Sequence, residues 1–140
     1  MQFTGIGCGP CKISIPFLNR LKKEYAVNEL EVLAVETWGR SKSSCEAYVK
    51  NQGIEYSFLT ADKETIAKLI NDYQAGSGVP QFYLIGKDRT IIAKFQGYAE
   101  KTTDTEIEKK IKSEFVDQKN VFSPILAFSV DFSIHLQPYI

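Results

Sequence analysis

The apolar positions of this chain alternate between two spacings, short continuous runs and repeats of three and four residues. The runs predict strands, whereas the repeats predict helices that bury one face. The predicted strands are 1–4, 30–36, 56–60, 81–85 and 90–97, and the predicted helices are 10–25, 43–51, 64–73 and a last one that reaches Phe115. This order, β-α-β-α-β-α-β-β-α, predicts an α/β fold with a mixed central sheet flanked by helices on both faces.

Two of the predicted helices begin with a spacing typical of a helix N-terminus. Ser43 precedes Glu46 by three residues, and Thr103 precedes Glu106 by three residues. In such a capping box the hydroxyl and the carboxylate each accept a hydrogen bond from a free backbone N–H group. We therefore expect Ser43 and Thr103 to be the N-caps of their helices.

The last part of the chain, residues 116–140, departs from this alternation. Between Pro124 and Pro138, apolar and polar residues alternate with period two, which predicts a strand buried on one face. The apolar positions are Phe128, Val130, Phe132, Ile134 and Leu136. We therefore divide the chain into a domain of residues 1–115 and a C-terminal extension with an extra strand. That strand either packs as an edge strand on its own domain or exchanges with a second copy in a homodimer.

Composition fits an ordinary globular protein and limits the choice of partner. Of the 140 residues, 44% are apolar and 24% are charged, which is enough for a modest core. Lys plus Arg and Asp plus Glu number 17 each, so we expect no nucleic-acid partner. The sequence shows no apolar run of roughly 18 residues and no secretory signal at its start. The motif described next begins soon after Met1, so we expect further natural sequence upstream.

Cysteine carries the strongest chemical signal in the sequence. Two of the three cysteines form the motif Cys8-Gly9-Pro10-Cys11, where a loop enters the first predicted helix. A helix N-terminus stabilises a thiolate through its free N–H groups and its dipole, so Cys8 should be the acidic, exposed thiol. Cys11 lies one turn further in, where it should be buried and can resolve a mixed disulfide formed at Cys8. Pro10 suits the first turn because no N–H partner is needed there.

The alternative use of a cysteine pair is metal binding. A structural zinc site needs about four Cys or His ligands, and beyond the motif the sequence offers only Cys45 and His135. These two are unpaired and distant in sequence, so we expect no metal and no other cofactor. Cys45 lies in the first turn of its helix, which lowers a thiol pKa, although a lone helical cysteine more commonly packs as a small apolar residue.

A proline at the start of a strand gives a second signal. Val79-Pro80 stands between the glycine-containing run 75–78 and the predicted strand 81–85. Proline at a strand start cannot donate to the ladder and often belongs to a special turn. A cis bond there would bring the loop close to the cysteine pair, whereas a trans proline would simply lead into the strand.

Together these features resemble the TlpA/ResA-like thioredoxins over about residues 1–115. The pattern in that family is an aromatic residue, a short loop, a CxxC motif and a proline five residues after the second cysteine. This chain matches it with Phe3, Cys8, Cys11 and Pro16. The resemblance implies a thioredoxin fold and bacterial thiol–disulfide oxidoreductase chemistry in the periplasm or elsewhere outside the cytoplasm. It also implies a protein substrate and an upstream electron donor.

The resemblance assigns roles to the motif residues. Cys8 is expected to be the attacking thiol and Cys11 the resolving thiol. Pro80 is expected to be a cis-proline, preceded by a residue whose backbone hydrogen-bonds a bound substrate strand. Pro16 is expected to kink the helix that it interrupts. The residues expected to bind the substrate are Gly9, Pro10, Val79 and Pro80.

The chain departs from the family pattern at three positions. Gly7 stands where a tryptophan usually precedes the first cysteine, Gln2 where thioredoxin has a buried acid, and Ser14 where a glutamate is common. Where they are present, these two acids help to move the proton of the buried thiol. We therefore expect their absence to affect the reaction rate and the pKa of Cys11. Glu36, at the end of a predicted strand, is either their substitute or a solvated charge, and we expect the second.

Three functions remain open at this point. The expected one is a protein thiol–disulfide reductase, because Gly-Pro separates the cysteines as in thioredoxin, which is a reducing protein. A peroxidase of the peroxiredoxin type would need Thr and Pro shortly before a lone cysteine, and that pattern does not surround Cys8. A binding or assembly module that kept the fold and lost catalytic efficiency is the third, since the family's acids are missing.

Overall fold

Strands and helices alternate along the chain as predicted, except that the first predicted helix is divided in two. The computed structural model describes the backbone of residues 1–26 and 30–120, and the side chains of these ranges as far as Phe115. The strands are β1 (Gln2–Thr4), β2 (Leu33–Glu36), β3 (Ser57–Leu59), β4 (Gln81–Ile85) and β5 (Ile91–Gln96). The helices are α1 (Gly9–Ile13), α2 (Ile15–Glu24), α3 (Lys42–Gln52), α4 (Lys63–Asp72) and α5 (Thr102–Asn120).

The five strands form one mixed sheet in the order β3-β2-β1-β4-β5. β2 pairs in parallel with both β1 and β3, and β4 pairs antiparallel with both β1 and β5. In β1, Phe3 lies opposite Val35 on one edge and opposite Gln81 on the other. β1 has only three residues, but all are buried and both of its edges are paired. The prediction of a mixed sheet is confirmed, and a strand of only three residues lies at its centre.

Side chains alternate between the two faces of the sheet, as the strand period requires. Ala34 and Phe82 belong to the larger apolar cluster, which also takes side chains from α2, α3 and α5. Their neighbours Val35 and Tyr83, together with Phe3, form a smaller cluster with Leu69 and Tyr73 of α4 and the turn that follows it. Helices therefore cover both faces, as predicted.

The first predicted helix breaks at Ser14. Pro16 lies in the first turn of α2, and in an unbroken helix its ring would collide with the carbonyl of Lys12. Ser14 forms the junction, where its hydroxyl donates a 2.7 Å hydrogen bond to the carbonyl of Cys11. The expected kink at Pro16 is thus confirmed, and it places a buried polar side chain below the motif.

Both predicted capping boxes are wrong by one or two positions. Helix α3 begins after Ser41, whose hydroxyl accepts a hydrogen bond from the N–H of Ser44, and Ser43 lies inside the helix. Helix α5 begins at Thr102, so Thr103 also lies inside the helix. Its hydroxyl oxygen accepts from the N–H of Ala99 in the preceding turn. Ser41, Ser43 and Ser44 all have the hydroxyl of a cap residue, so the sequence alone did not fix where α3 begins.

The predicted C-terminal strand and His135 lie outside the described residues. The division of the chain at residue 115 therefore stays a prediction, and α5 continues across that point to Asn120. Within the ranges that the structure describes, no helix is long and apolar enough to cross a membrane.

The central position of β1 predicts that its apolar side chain supports the whole domain. Phe3 is 1% exposed and its ring centroid lies 5.6 Å from that of Tyr73 and 5.2 Å from that of Tyr83. Phe3→Ala should lower the free energy of unfolding by about 4 kcal/mol, because it leaves a cavity in the core. Urea unfolding followed by circular dichroism measures this change.

The matched control is Ile13→Ala, which truncates an exposed apolar residue. It should change the free energy of unfolding by no more than about 0.5 kcal/mol. Equal small effects of the two substitutions would contradict a structural role for β1.

Candidate active site

The cysteine motif begins directly after the central strand. β1 ends at Thr4, a short loop follows, and Cys8 is the N-cap of α1 with extended backbone angles. Its Sγ atom accepts a 3.2 Å hydrogen bond from the N–H of Cys11 and is bonded to the Sγ of Cys11 in a disulfide. The N-cap sulfur thus occupies the place where a helix N-terminus stabilises negative charge. This is the geometry expected of an acidic thiol once the disulfide is reduced.

The two cysteines differ in how far they can be reached. Cys8 keeps 7% of its surface exposed and Cys11 only 1%, whereas Gly9 and Pro10 between them are exposed. The burial expected of Cys11 is confirmed, whereas Cys8 is also buried and is not the exposed thiol that the sequence predicts. Of the two residues, Cys8 is the more accessible.

The loop before β4 forms the opposite side of the site. The Val79–Pro80 peptide bond is cis, as the resemblance implies, and Pro80 is fully buried. The carbonyl oxygen of Val79 lies 3.7 Å from the Sγ of Cys8. The structure thus brings together two segments that are 71 residues apart in sequence.

Gln81 fixes this loop and was missed by the sequence analysis. Its Nε2 group donates hydrogen bonds to the carbonyls of Gly76 and Gly78, at 2.9 and 2.6 Å. Its Oε1 atom accepts a 2.7 Å hydrogen bond from the hydroxyl of Tyr83. The signal available in the sequence was an amide side chain directly after the Val-Pro pair, because a side chain with both donors and an acceptor can tie a loop to its strand.

A neutral hydrogen-bonded pair lies below the motif. The Nε2 group of Gln2 donates a 2.9 Å hydrogen bond to the hydroxyl oxygen of Ser14, which in turn donates to the carbonyl of Cys11. Gln2 is 2% exposed and Ser14 is fully buried. The position where thioredoxin has a buried acid and the position where the TlpA/ResA-like group often has a glutamate are therefore in direct contact here. The two side chains hydrogen-bond to each other, and neither carries a charge.

Glu36 is not the solvated strand-end charge that the sequence analysis expects. It is fully buried, and its carboxylate accepts hydrogen bonds from the backbone N–H groups of Ile6, Trp38 and Arg40, at 3.4, 3.2 and 2.9 Å. A buried carboxylate is stable only with such partners. These bonds join the loop before the motif to the loop after β2, so Glu36 is a positioning group.

Trp38 is the second residue beside the site that the sequence analysis missed. Its side chain is 50% exposed and lies against the loop before Cys8. A Cβ atom added to Gly5 would come within 2.4 to 2.7 Å of three indole atoms. The chain has a single tryptophan, and its place after a predicted strand end was the only signal that could have drawn attention to it.

Cys45 is separate from this site. It is 4% exposed and free of any disulfide. Burial, followed by the charge of Glu36, raises the pKa of its thiol, so the lowering expected from its place in the helix is wrong. Within the described ranges, no group of three or more His, Cys, Asp or Glu side chains is arranged to hold a metal ion.

Sequence comparison relates the chain to known proteins. The profile of the Redoxin family matches residues 2–111. The thiol-disulfide oxidoreductase ResA of Bacillus cereus is 28% identical over 97 residues, which are 69% of this chain and 53% of that protein. ResA of Geobacillus kaustophilus is 26% identical over 81% of this chain and 60% of that protein. The chain therefore spans little more than half the length of these relatives.

Comparison with solved structures identifies the fold. A thiol:disulfide interchange protein of the thioredoxin family from Chlorobium tepidum has a TM-score of 0.63 to this chain at 21% identity. The superposition covers 81% of this chain and 77% of the other. The fold is thus a thioredoxin fold. Because the family profile spans most of its length, the chain belongs to the Redoxin family.

Proposed function

We propose that this chain is a thiol–disulfide oxidoreductase that reduces disulfides in protein substrates through Cys8 and Cys11. The observation that carries the proposal is the position of the Cys8 sulfur. It caps α1, accepts the N–H of Cys11 and lies 3.7 Å from the Val79 carbonyl of the opposite loop. The names of the ResA relatives agree with this activity.

The first step forms a mixed disulfide. In the reduced protein the Cys8 thiolate attacks one sulfur of the substrate disulfide, and a bond forms between the two sulfurs as the substrate S–S bond breaks. The second substrate sulfur leaves as a thiolate and takes a proton from water. The free N–H of Cys11 stabilises the attacking thiolate before the step.

The second step releases the substrate. Cys11 loses its proton and attacks the Sγ of Cys8, which forms the disulfide seen in the structure and expels the remaining substrate thiolate. Two electrons have then passed from the protein dithiol to the substrate. The cycle therefore needs a dithiol donor that reduces Cys8–Cys11 again.

The proposed substrate is a protein segment in extended conformation. Gly9 and Pro10 are exposed beside Cys8, and the backbone of Val79 faces the same space from the other side. A short strand can hydrogen-bond to such a backbone edge while its cysteine reaches Cys8. Substrate binding by Gly9, Pro10, Val79 and Pro80 is part of this proposal.

The direction of electron flow, the location and the assembly are further parts of the proposal. Gly-Pro between the cysteines, as in thioredoxin, supports reduction of substrates. Resemblance to the TlpA/ResA-like group supports a location outside the cytoplasm. A homodimer formed by the C-terminal strand stays a prediction, since that strand lies outside the described residues.

Substitution of each cysteine tests the proposed activity. With dithiothreitol as the donor, the wild-type protein should accelerate reduction of insulin disulfides, and Cys8→Ser should abolish the acceleration. In a separate reaction without dithiothreitol, the pre-reduced Cys11→Ser variant should accumulate a mixed disulfide between Cys8 and an insulin chain, because the resolving thiol is missing. Turbidity and intact-mass spectrometry measure the two effects.

Cys45→Ser is the matched control and should keep the wild-type rate, because Cys45 is buried away from the site. Full activity of Cys8→Ser would rule out the proposed chemistry. A correctly folded wild-type protein that leaves insulin intact would favour the binding-module alternative.

The neutral pair below Cys11 predicts the pH dependence of the second step. Neither Gln2 nor Ser14 titrates, so the rate of mixed-disulfide resolution should show one inflection, that of the Cys11 thiol. Ser14→Glu should add a second inflection, because it introduces a carboxyl group beside Cys11. Single-turnover mixing at a series of pH values measures both profiles.

Ser14→Ala is the control for this experiment. It removes the hydrogen bonds of Ser14 without adding a titratable group, so it should keep the single inflection. Two inflections in the wild-type profile between pH 5 and about 8 would show that another group moves the proton.

A further inference from the structure

The indole of Trp38 covers the loop that leads into the cysteine motif. It lies so close to Gly5 that any Cβ atom there would overlap the ring, and a Cβ atom on Gly7 would lie 3.8 Å from it. Trp38 belongs to the loop after β2, and Gly5 and Gly7 make room for its ring.

A shared anchor holds the backbone of Trp38 beside the covered loop. The carboxylate of Glu36 accepts hydrogen bonds from the N–H of Trp38 and from the N–H of Ile6, which belongs to the covered loop. The two loops therefore keep a fixed distance at their backbones. A ring held in advance loses little conformational entropy when a ligand packs on it.

The exposed side of the ring borders a groove of about 390 Å³. Trp38 and Thr37 lie along one wall, Phe3 contributes to the lining from the sheet, and the segment from Ala75 to Val79 lies along the other wall. None of the described residues that line the groove carries a charge. Cys8 itself does not line the groove, and Val79 links the two, because it lines the groove and its carbonyl oxygen lies 3.7 Å from the Cys8 sulfur.

We propose that Trp38 is the specificity-determining residue of this site and selects protein segments with an apolar side chain beside the reacting cysteine. The inference rests on the proposed function, because a segment reaches the groove while its cysteine is bound to Cys8. Trp38 is half exposed and lines the groove, so its ring can pack against such a side chain, and the uncharged lining disfavours a charged one.

The test compares three disulfides that differ in what they offer to the groove. Two are symmetric peptide disulfides whose cysteine is flanked on both sides by Leu in one and by Ser in the other. The third is glutathione disulfide, which has no side chain for the groove. Burial of one leucine side chain predicts that the wild type prefers the Leu peptide by about tenfold in kcat/KM.

Substitution of the ring should remove this preference alone. Trp38→Ala should lower kcat/KM for the Leu peptide by about tenfold and leave the values for the Ser peptide and glutathione disulfide within about twofold. Trp38→Phe should keep most of the preference. Gly5→Ala should also lose it with the tryptophan still present, because the added methyl group displaces the ring from its place.

Fluorescence gives a readout that a purely structural role would not change. Trp38 is the only tryptophan, so its emission reports on the groove alone. In the Cys11→Ser variant, a mixed disulfide with the Leu peptide should shift the emission to shorter wavelength, and one with the Ser peptide should not.

The outcomes separate this inference from the proposed function. Equal loss on all three disulfides in Trp38→Ala, with no emission shift in the Leu adduct, would show that the ring only supports the loop. Reduction of all three by the wild type at similar rates would also overturn the inference, yet leave the proposed function standing. Failure of the wild type to reduce any of them would overturn both.

Discussion

The hydrogen bond from the Cys11 N–H to the Cys8 sulfur organises this molecule. It exists because a three-residue strand at the centre of the sheet delivers Cys8 to the first free N–H groups of α1. The same bond makes Cys8 the helix cap, and in the reduced protein an N–H group at this place would stabilise a thiolate. The short strand, the broken helix and the opposite loop each fix one side of this contact.

Around this contact, several residues differ from those that the family resemblance implies. Gln2 and Ser14 hydrogen-bond to each other at positions where the resemblance implies acids, so the side chains below Cys11 are polar but uncharged. The fully buried carboxylate of Glu36 binds backbone N–H groups of two loops instead. The indole of Trp38 reaches the site from the loop after β2 and lies against Gly5. The buried carboxylate of Glu36 thus supports two loops, whereas the side chains that hydrogen-bond below Cys11 carry no charge.

Much of the fold could be predicted from local pattern, and the site only in part. The cysteine pair and the cis bond at Val79–Pro80 could be predicted because each signal lies in adjacent residues. Glu36 looked solvated because a carboxylate at a strand end usually is, and its partners are backbone groups that no sequence pattern marks. The place of Trp38 depends on the space above Gly5, which is a property of two loops at once.

The reduction potential of Cys8–Cys11 tests the central claim most directly. Equilibration with glutathione buffers, followed by counting of free thiols by mass spectrometry, gives this value and reports Cys45 separately. The account predicts a two-electron couple more negative than about −220 mV, with Cys45 unchanged across the series. A strongly oxidising value, or no Cys8–Cys11 disulfide under any buffer, would contradict a reductase.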